Sequence, residues 1–284
     1  MTDDLDHIQE NVPYKELIPF AESIHSDRML RENNEKMRQE FTANVSHELK
    51  TPLTSISGYA ELIETGIAKP EDTPGFARKI HVEASRMIQL VNDILQLSHL
   101  DNVSETGAAP AMETVDLLDV ARECVERQKV NARHSYISLT YLGESAPVTG
   151  SRVLLDELCQ NLCDNAIRYN RPGGKVQIIT ACTRDGHCTL TVKDNGIGIP
   201  KEAQTSVFER FYRVDKSRSK ATGGTGLGLA IVKHIARIHN ARIKLDSVVD
   251  EYHHHRDLRN GFLTFHEFHV CPNFRAEFFV VSAK

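Results

Sequence analysis

At 284 residues, with 40% hydrophobic and 26% charged side chains, the chain has the composition of a globular protein with room for about two domains. A net charge of -5 offers none of the basic excess that nucleic-acid binding needs, so that class of partner is set aside. No apolar run approaches the ~18 residues of a membrane span, and the acidic start MTDDLDHIQE does not resemble a signal peptide.

Residues 1 to 36 are polar, and Pro13 and Pro19 interrupt their first half. The stretch ESIHSDRMLRENNEKMRQE is rich in helix formers and charges but too polar to build a core. It is expected either as a helical lead-in to the helix after it or as a solvated leader. From 37 to 66, Phe41, Val45, Leu49, Leu53 and Ile56 recur at steps of three and four, which is one face of a helix. His47, Glu48 and Thr51 lie off that face, with His47 and Thr51 one turn apart. Pro52 is expected to kink the helix, and Gly66 to stop it. A turn around Pro70 and Pro74 leads to a second helix over 75 to 99, with Ala77, Ile80, Ala84, Met87, Val91 and Ile94 as its stripe. Two helices with one apolar stripe each do not bury it alone. Pairing with a second copy gives a four-helix bundle, so a homodimer is expected.

Small and polar residues from Asn102 to Pro110 predict a linker. Beyond it the texture changes to TVDL as a strand, DVARECVERQKVNAR as a helix and YISLTYL as a strand. A further helix begins after Ser151, a suitable N-cap. KVQIITACTR and HCTLTVKD predict two strands joined at Asp185-Gly186. After a loop-rich stretch come the helix LGLAIVKHIARIH and the strand ARIKLDS. The chain is therefore expected to be α+β: a helical hairpin forming a dimeric four-helix bundle, then an α/β sandwich with helices on one face of a mixed sheet. Its expected parts are a lead-in (1–36), the hairpin (37–102), a linker (103–112), the sandwich (113–250) and a tail (251–284). Cys124, Cys159, Cys163, Cys182, Cys188 and Cys271 form no CxxC and are expected as reduced, buried thiols of a cytosolic protein.

The order F-x-x-x-x-S-H-E-L-K-T-P-L around His47 resembles the phospho-acceptor box of the sensor histidine kinases. The resemblance implies that His47 is phosphorylated, with Glu48 hydrogen-bonding the ring or taking its proton. Thr51 carries only a hydroxyl, which is suited to orienting a water during dephosphorylation of a regulator.

Four later motifs resemble the nucleotide boxes of the same family and of its gyrase-type and Hsp90-type relatives. In ELCQNLCDNAIRY, Asn161, Asn165 and Arg168 form one helical stripe, beside the apolar stripe Leu158, Leu162, Ala166 and Tyr169. A carboxamide oxygen is a hard ligand that suits Mg²⁺. The resemblance makes Asn165 the Mg²⁺ ligand, Asn161 its helper and Arg168 a neighbour of the phosphates. In DNGIGIP, it gives Asp194 the adenine amino group, with Gly196 and Gly198 leaving room for the base. VFERFYR resembles the F-box that packs the nucleotide lid. In GGTGLGL, residues Gly224, Thr225, Gly226, Leu227 and Gly228 open a helix whose free N–H groups suit phosphates. No Gly-Lys-Ser/Thr follows, so this is not a P-loop, and no HRD or DFG marks a protein-kinase fold.

The resemblance covers residues 36 to 246 and lies nearest the membrane sensors with a phosphate-regulon-type core. It implies ATP and Mg²⁺ as cofactors, a homodimer, and transfer to an Asp of a response regulator. It also implies a membrane-embedded sensor upstream, of which this chain is the cytoplasmic half or a truncated product. Two alternatives stay open. One is another ATPase on the same nucleotide fold, which would lack the His47 hairpin; the other is an impaired dimeric scaffold or phosphatase that binds a regulator without ATP turnover. The tail departs from the family pattern, which closes with a Gly-Thr and one last strand. It is expected as a replaced end that leaves a sheet edge unfilled unless FLTFHEFHV or AEFFVV substitutes. His253, His254, His255, His266, His269 and Cys271 match no zinc spacing.

Overall fold

In the computed structural model, which describes residues 18–106, 110–184, 186–215, 223–249 and 263–265, the chain opens with two long helices. These are α1 (Ile18–Glu64) and α2 (Thr73–Thr106). The polar lead-in from residue 18 is continuous with the helix that carries His47. Ion pairs at helical spacing, Arg28–Glu32 and Arg31–Asp27, lie along its exposed surface. Pro52 lies inside α1, is buried, and does not end the helix. α2 runs past its expected end to Thr106, so the first part of the expected linker is helical. Residues 1–17 and 107–109 of the expected lead-in and linker lie outside the described residues.

The chain groups into two compact units that divide within α2, between Met87 and Ile88. In the first, Gly66 adopts the left-handed backbone (φ +70°) that stops α1, as expected. Tyr59 stacks on Phe76 with ring centroids 5.4 Å apart, and Lys79 Nζ lies 5.0 Å over the Tyr59 ring. Phe41, Val45, Leu49 and Ile56 are half-buried, whereas Leu53 of the same stripe is 56% exposed in the single chain. Ile67 and Val82 are exposed as well.

In the second unit the buried side of α2 is Leu90, Asp93, Leu97 and Leu100, one helical stripe. The expected stripe differs, since Val91 is exposed and Ile94 only half-buried. Next come β1 (Glu113–Asp116), α3 (Leu117–His134), β2 (Ser138–Gly143), β3 (Pro147–Gly150) and α4 (Arg152–Arg168). They are followed by β4 (Lys175–Cys182), β5 (Cys188–Asp194), α5 (Gly228–Ile238), β6 (Leu245–Asp246) and β7 (Leu263–Phe265). β1 and β3 form a small antiparallel pair, and β3 is a strand not expected from the sequence. The main sheet has the order β2-β4-β5-β7-β6, with β2 and β4 parallel and the other pairs antiparallel. β4 alternates, burying Val176, Ile178 and Thr180. α3 packs on β2 and β4, and α4 on β4 and β5. Asp116 caps α3 by accepting from the Leu118 amide at 2.9 Å, and its other oxygen accepts the Ser145 hydroxyl at 2.6 Å.

One expectation is met by the alternative it allowed, and another is corrected. The sheet position expected to stand unfilled unless a tail segment substitutes is taken by Leu263–Phe265, within FLTFHEFHV, which pairs with Lys193–Asp194 on one side and Leu245–Asp246 on the other. The cysteines are not all reduced, because antiparallel register sets Cys182 opposite Cys188 and the two form a disulfide, Cα atoms 3.9 Å apart. Cys124, Cys159 and Cys163 are buried free thiols. Cys271, the tail histidines, AEFFVV and Asp185 of the expected hairpin turn lie outside the described residues. Among the described residues, no helix is long and apolar enough to cross a membrane.

Candidate nucleotide site and phospho-acceptor helix

α4 buries Leu158, Cys159, Leu162, Cys163 and Ala166. That orientation leaves Asn161, Asn165, Arg168 and Tyr169 half-buried along its other side. Asn161 Nδ2 donates to the Glu157 carbonyl at 3.0 Å, and Arg168 Nη2 to Asp164 at 2.8 Å. The start of α5 lies against this side, for a Cβ at Gly228 would stand 2.9 Å from Asn161 Oδ1 and 3.8 Å from Asn165 Nδ2. A Cβ at Gly224 would stand 3.0 Å from the Tyr169 hydroxyl and 3.8 Å from Arg168 Nη1. The expected helix stripe and the glycine loop are thus one site.

Asp194 ends β5 and is 4% exposed. Its Oδ1 accepts the Gly196 amide at 2.8 Å, yet burial pushes the carboxyl up to about 7. The Ile197 amide donates to the Tyr169 carbonyl at 3.1 Å, which joins the Asp194 loop to the end of α4. The glycines here answer to the chain itself. A Cβ at Gly196 would meet the Tyr169 carbonyl and Asp194 Oδ1, and one at Gly198 (φ +71°) the Val248 carbonyl. Room for a base was the reason expected from the sequence; close backbone packing is the reason visible here.

In the glycine loop, Thr225 Oγ1 accepts the Leu227 amide at 3.3 Å and donates to Asp93 Oδ2 at 2.6 Å. The phenylalanine motif braces the same loop. The Phe211 amide donates to the Gly226 carbonyl at 2.9 Å, and Arg213 Nη2 to the Thr225 carbonyl at 2.9 Å. With α5 starting at Gly228, this assembly has the helix-start amides and positive dipole end that suit a polyphosphate. The carboxamide of Asn165, beside that helix start, has the hard oxygen that suits Mg²⁺.

His47, Glu48 and Thr51 sit in the first unit. His47 is exposed. Glu48 Oε2 lies 3.7 Å from Arg86 Nη2 on α2, with both side chains largely covered. The Thr51 hydroxyl donates to the His47 carbonyl at 3.2 Å.

Residues 37–103 match the family model of the His Kinase A (phospho-acceptor) domain. Residues 150–262 match that of the Histidine kinase-, DNA gyrase B-, and HSP90-like ATPase. Sensor-like histidine kinase SenX3 of Mycolicibacterium smegmatis is 43% identical over 231 residues, 80% of this chain and 58% of SenX3. The chain belongs to the sensor histidine kinases. Sensor protein kinase WalK of Staphylococcus haemolyticus is 40% identical over 216 residues, 75% of this chain and 35% of WalK. The chain thus spans between about a third and three fifths of the length of these two relatives. Among solved structures, the Acinetobacter baumannii histidine kinase AdeS has a TM-score of 0.54 at 23% identity, covering 77% of this chain and 95% of that one. Histidine kinase ThkA, solved in complex with response regulator protein TrrA, has a TM-score of 0.60 at 22% identity, covering 85% and 64%. These two likenesses concern the fold.

Sequence reasoning overlooked several residues that shape this candidate site. Gln204 Nε2 donates to the carbonyls of Ile199 and Ser247 at 3.0 and 2.7 Å, and the Ser247 hydroxyl accepts the Ile199 amide at 2.8 Å. They pin the loop that follows Asp194. Asn195 Oδ1 accepts the Lys175 amide at 2.6 Å. Asp93 was also overlooked. Its signal was a carboxylate three residues after Leu90 and four before Leu97, in step with an apolar stripe.

Proposed function

We propose that this chain is the catalytic core of an ATP-dependent protein-histidine kinase in a two-component system. It phosphorylates His47 from ATP and passes the phosphoryl group to an Asp of a response-regulator receiver domain. The observation that carries this reading is one chain holding both an exposed His47 beside Glu48 and, in its second unit, the Asn161–Asn165 side of α4 packed against Gly228 at the start of α5.

In this reading Asp194 accepts the adenine amino group, which favours adenine over guanine because guanine presents a carbonyl there. The Gly224–Gly228 loop and the start of α5 receive the phosphates, with Arg168 beside them. A neutral His47 ring nitrogen attacks the γ-phosphorus; the new N–P bond forms as the bond to the β-phosphate oxygen breaks, and ADP leaves. The proton on the other ring nitrogen passes to Glu48, which makes the ring a better nucleophile. Mg²⁺ at Asn165, with Asn161 assisting, would supply positive charge against that of the transferring phosphoryl. Thr51 serves the reverse chemistry by orienting a water towards the aspartyl phosphate of a docked regulator.

The exposed Leu53, Ile67 and Val82 support a second copy over the hairpin, making a homodimer. An upstream sensor region would anchor such a dimer at the cytoplasmic face of a membrane. Phosphotransfer profiling tests the partner: the phosphorylated chain, mixed with individual receiver domains, should lose label rapidly to one or a few of them. Uniformly slow loss to every receiver domain would contradict the kinase–regulator reading.

A further inference from the structure

Asp93 is a carboxylate in a buried stripe otherwise made of Leu90, Leu97 and Leu100. Such a group is tolerated only where its oxygens find donors. Gln89 Nε2 donates to Oδ1 at 2.7 Å, and the Thr225 hydroxyl to Oδ2 at 2.6 Å. Thr225 belongs to the glycine loop, and its hydroxyl also accepts the Leu227 amide at 3.3 Å. One hydroxyl therefore occupies an amide at the start of α5 and gives its proton to α2. Two turns further along α2, both oxygens of Asp101 accept from Arg210 Nη2 at 2.8 and 2.9 Å. His234 of α5 stands 3.4 Å from the same carboxylate. The C-terminal part of α2 thus holds both the glycine loop and the phenylalanine motif that braces it.

We propose that Asp93 is a latch on the phosphate-binding loop, whose carboxylate holds the Thr225 hydroxyl and keeps a nucleotide's phosphates off the loop until that bond breaks. The inference rests on the ATP-binding reading above and adds a control to it. A hydroxyl has one proton to donate, so Asp93 and a phosphate oxygen compete for it. Two anions at that place also repel each other. Asp164 adds negative charge near Asp93, burial and Asp93 push the Glu157 carboxyl up to about 7, and Arg168 is the cation that answers them. By linkage, whatever loosens α2 from the loop raises affinity for ATP, and ATP loosens α2 by the same factor. Adenosine, which has no phosphates, lies outside this competition.

The test measures ATP and adenosine affinity by calorimetry in the wild-type chain, Asp93→Ala and Asp93→Asn. Loss of a buried, charge-assisted hydrogen bond predicts ATP binding about tenfold tighter in Asp93→Ala. Asp93→Asn should show a smaller gain, because its amide oxygen still accepts from Thr225. Being isosteric, it keeps the test decisive if the alanine variant does not fold. Adenosine affinity should stay unchanged in both. ATP affinity that is unchanged or weaker in the variants, or adenosine that tightens as much as ATP, would overturn the latch alone. No ATP binding by any of the three proteins would overturn the nucleotide reading and the latch with it.

Discussion

His239 Nε2 accepts the Ser151 amide at 3.1 Å, tying the residue before α4 to the residue after α5. His239 Nδ1 lies 2.8 Å from the Ile235 carbonyl, so Nδ1 carries the proton and the ring is neutral. Ser151 was expected to cap α4 with its side chain; it makes no such bond, and its amide goes to His239 instead. The two helices that carry Asn165 and open at Gly228 are joined at their far ends by one imidazole.

Burial lowers the His239 pKa from its usual value. The folded chain therefore holds the neutral ring while the unfolded chain takes up a proton. Stability from this group is complete above the unfolded value of about 6.5 and is lost progressively as pH falls below it. His239→Ala should cost about 1–3 kcal/mol near neutral pH. Denaturant unfolding at pH 7.5 and 5.5 measures it: the gap between wild type and variant should narrow at the lower pH. A gap independent of pH would mean that the ring acts by packing alone.

Asp194 gives the opposite sign. Burial raises its carboxyl to about 7, so its contribution to the stability of the empty domain grows as pH falls through 7. An adenine amino group prefers the carboxylate, so ATP affinity should fall over the same range. Between pH 8 and pH 6 the ionised fraction of such a group drops about tenfold, and affinity should follow. Asp194→Asn should bind ATP weakly with a flattened pH profile. A variant that binds ATP as tightly as wild type would mean that the base sits elsewhere.

Glu48 and Thr51 should separate two activities on one helix. Glu48→Ala is expected to slow autophosphorylation about 10²-fold or more, the usual worth of a positioned base. Thr51→Ala should keep autophosphorylation and lose dephosphorylation of the regulator. The Thr51 hydroxyl donates to the His47 carbonyl, which leaves its oxygen lone pairs to accept from a water. Both rates are measured in both variants with one regulator, and equal losses throughout would mean that the residues only hold the helix.

The C-terminal segment should contribute to stability. Deleting residues 251–284 removes β7 and exposes the facing edges of β5 and β6. A melting temperature lower by about 2–8 °C is expected, the equivalent of one or two kcal/mol. An unchanged melting temperature would mean that this pairing adds nothing.

Long periodic segments were legible because a helix repeats its apolar positions over many turns. The hairpin, α3, α4 and α5 were placed this way, and the mixed sheet followed from the strands between them. What escaped was set by partners far along the chain. β3 and β7 are short strands whose pairing depends on β1, β5 and β6. The disulfide needed the register that faces Cys182 with Cys188. Asp93 and Gln204 were invisible as site residues because each has a decisive partner far along the chain, 132 and 43 positions away. The candidate nucleotide residues were legible for another reason: Asn165, Asp194 and Gly226 sit in local motifs of consecutive residues.

The central claim is that His47 receives the γ-phosphoryl group of ATP. The direct measurement is incubation with γ-labelled ATP and Mg²⁺, followed by acid and base treatment of the labelled protein. The account predicts label on the wild-type chain that is lost in acid, survives in base, and is absent from His47→Gln. Acid-labile, base-stable label persisting in His47→Gln would contradict it.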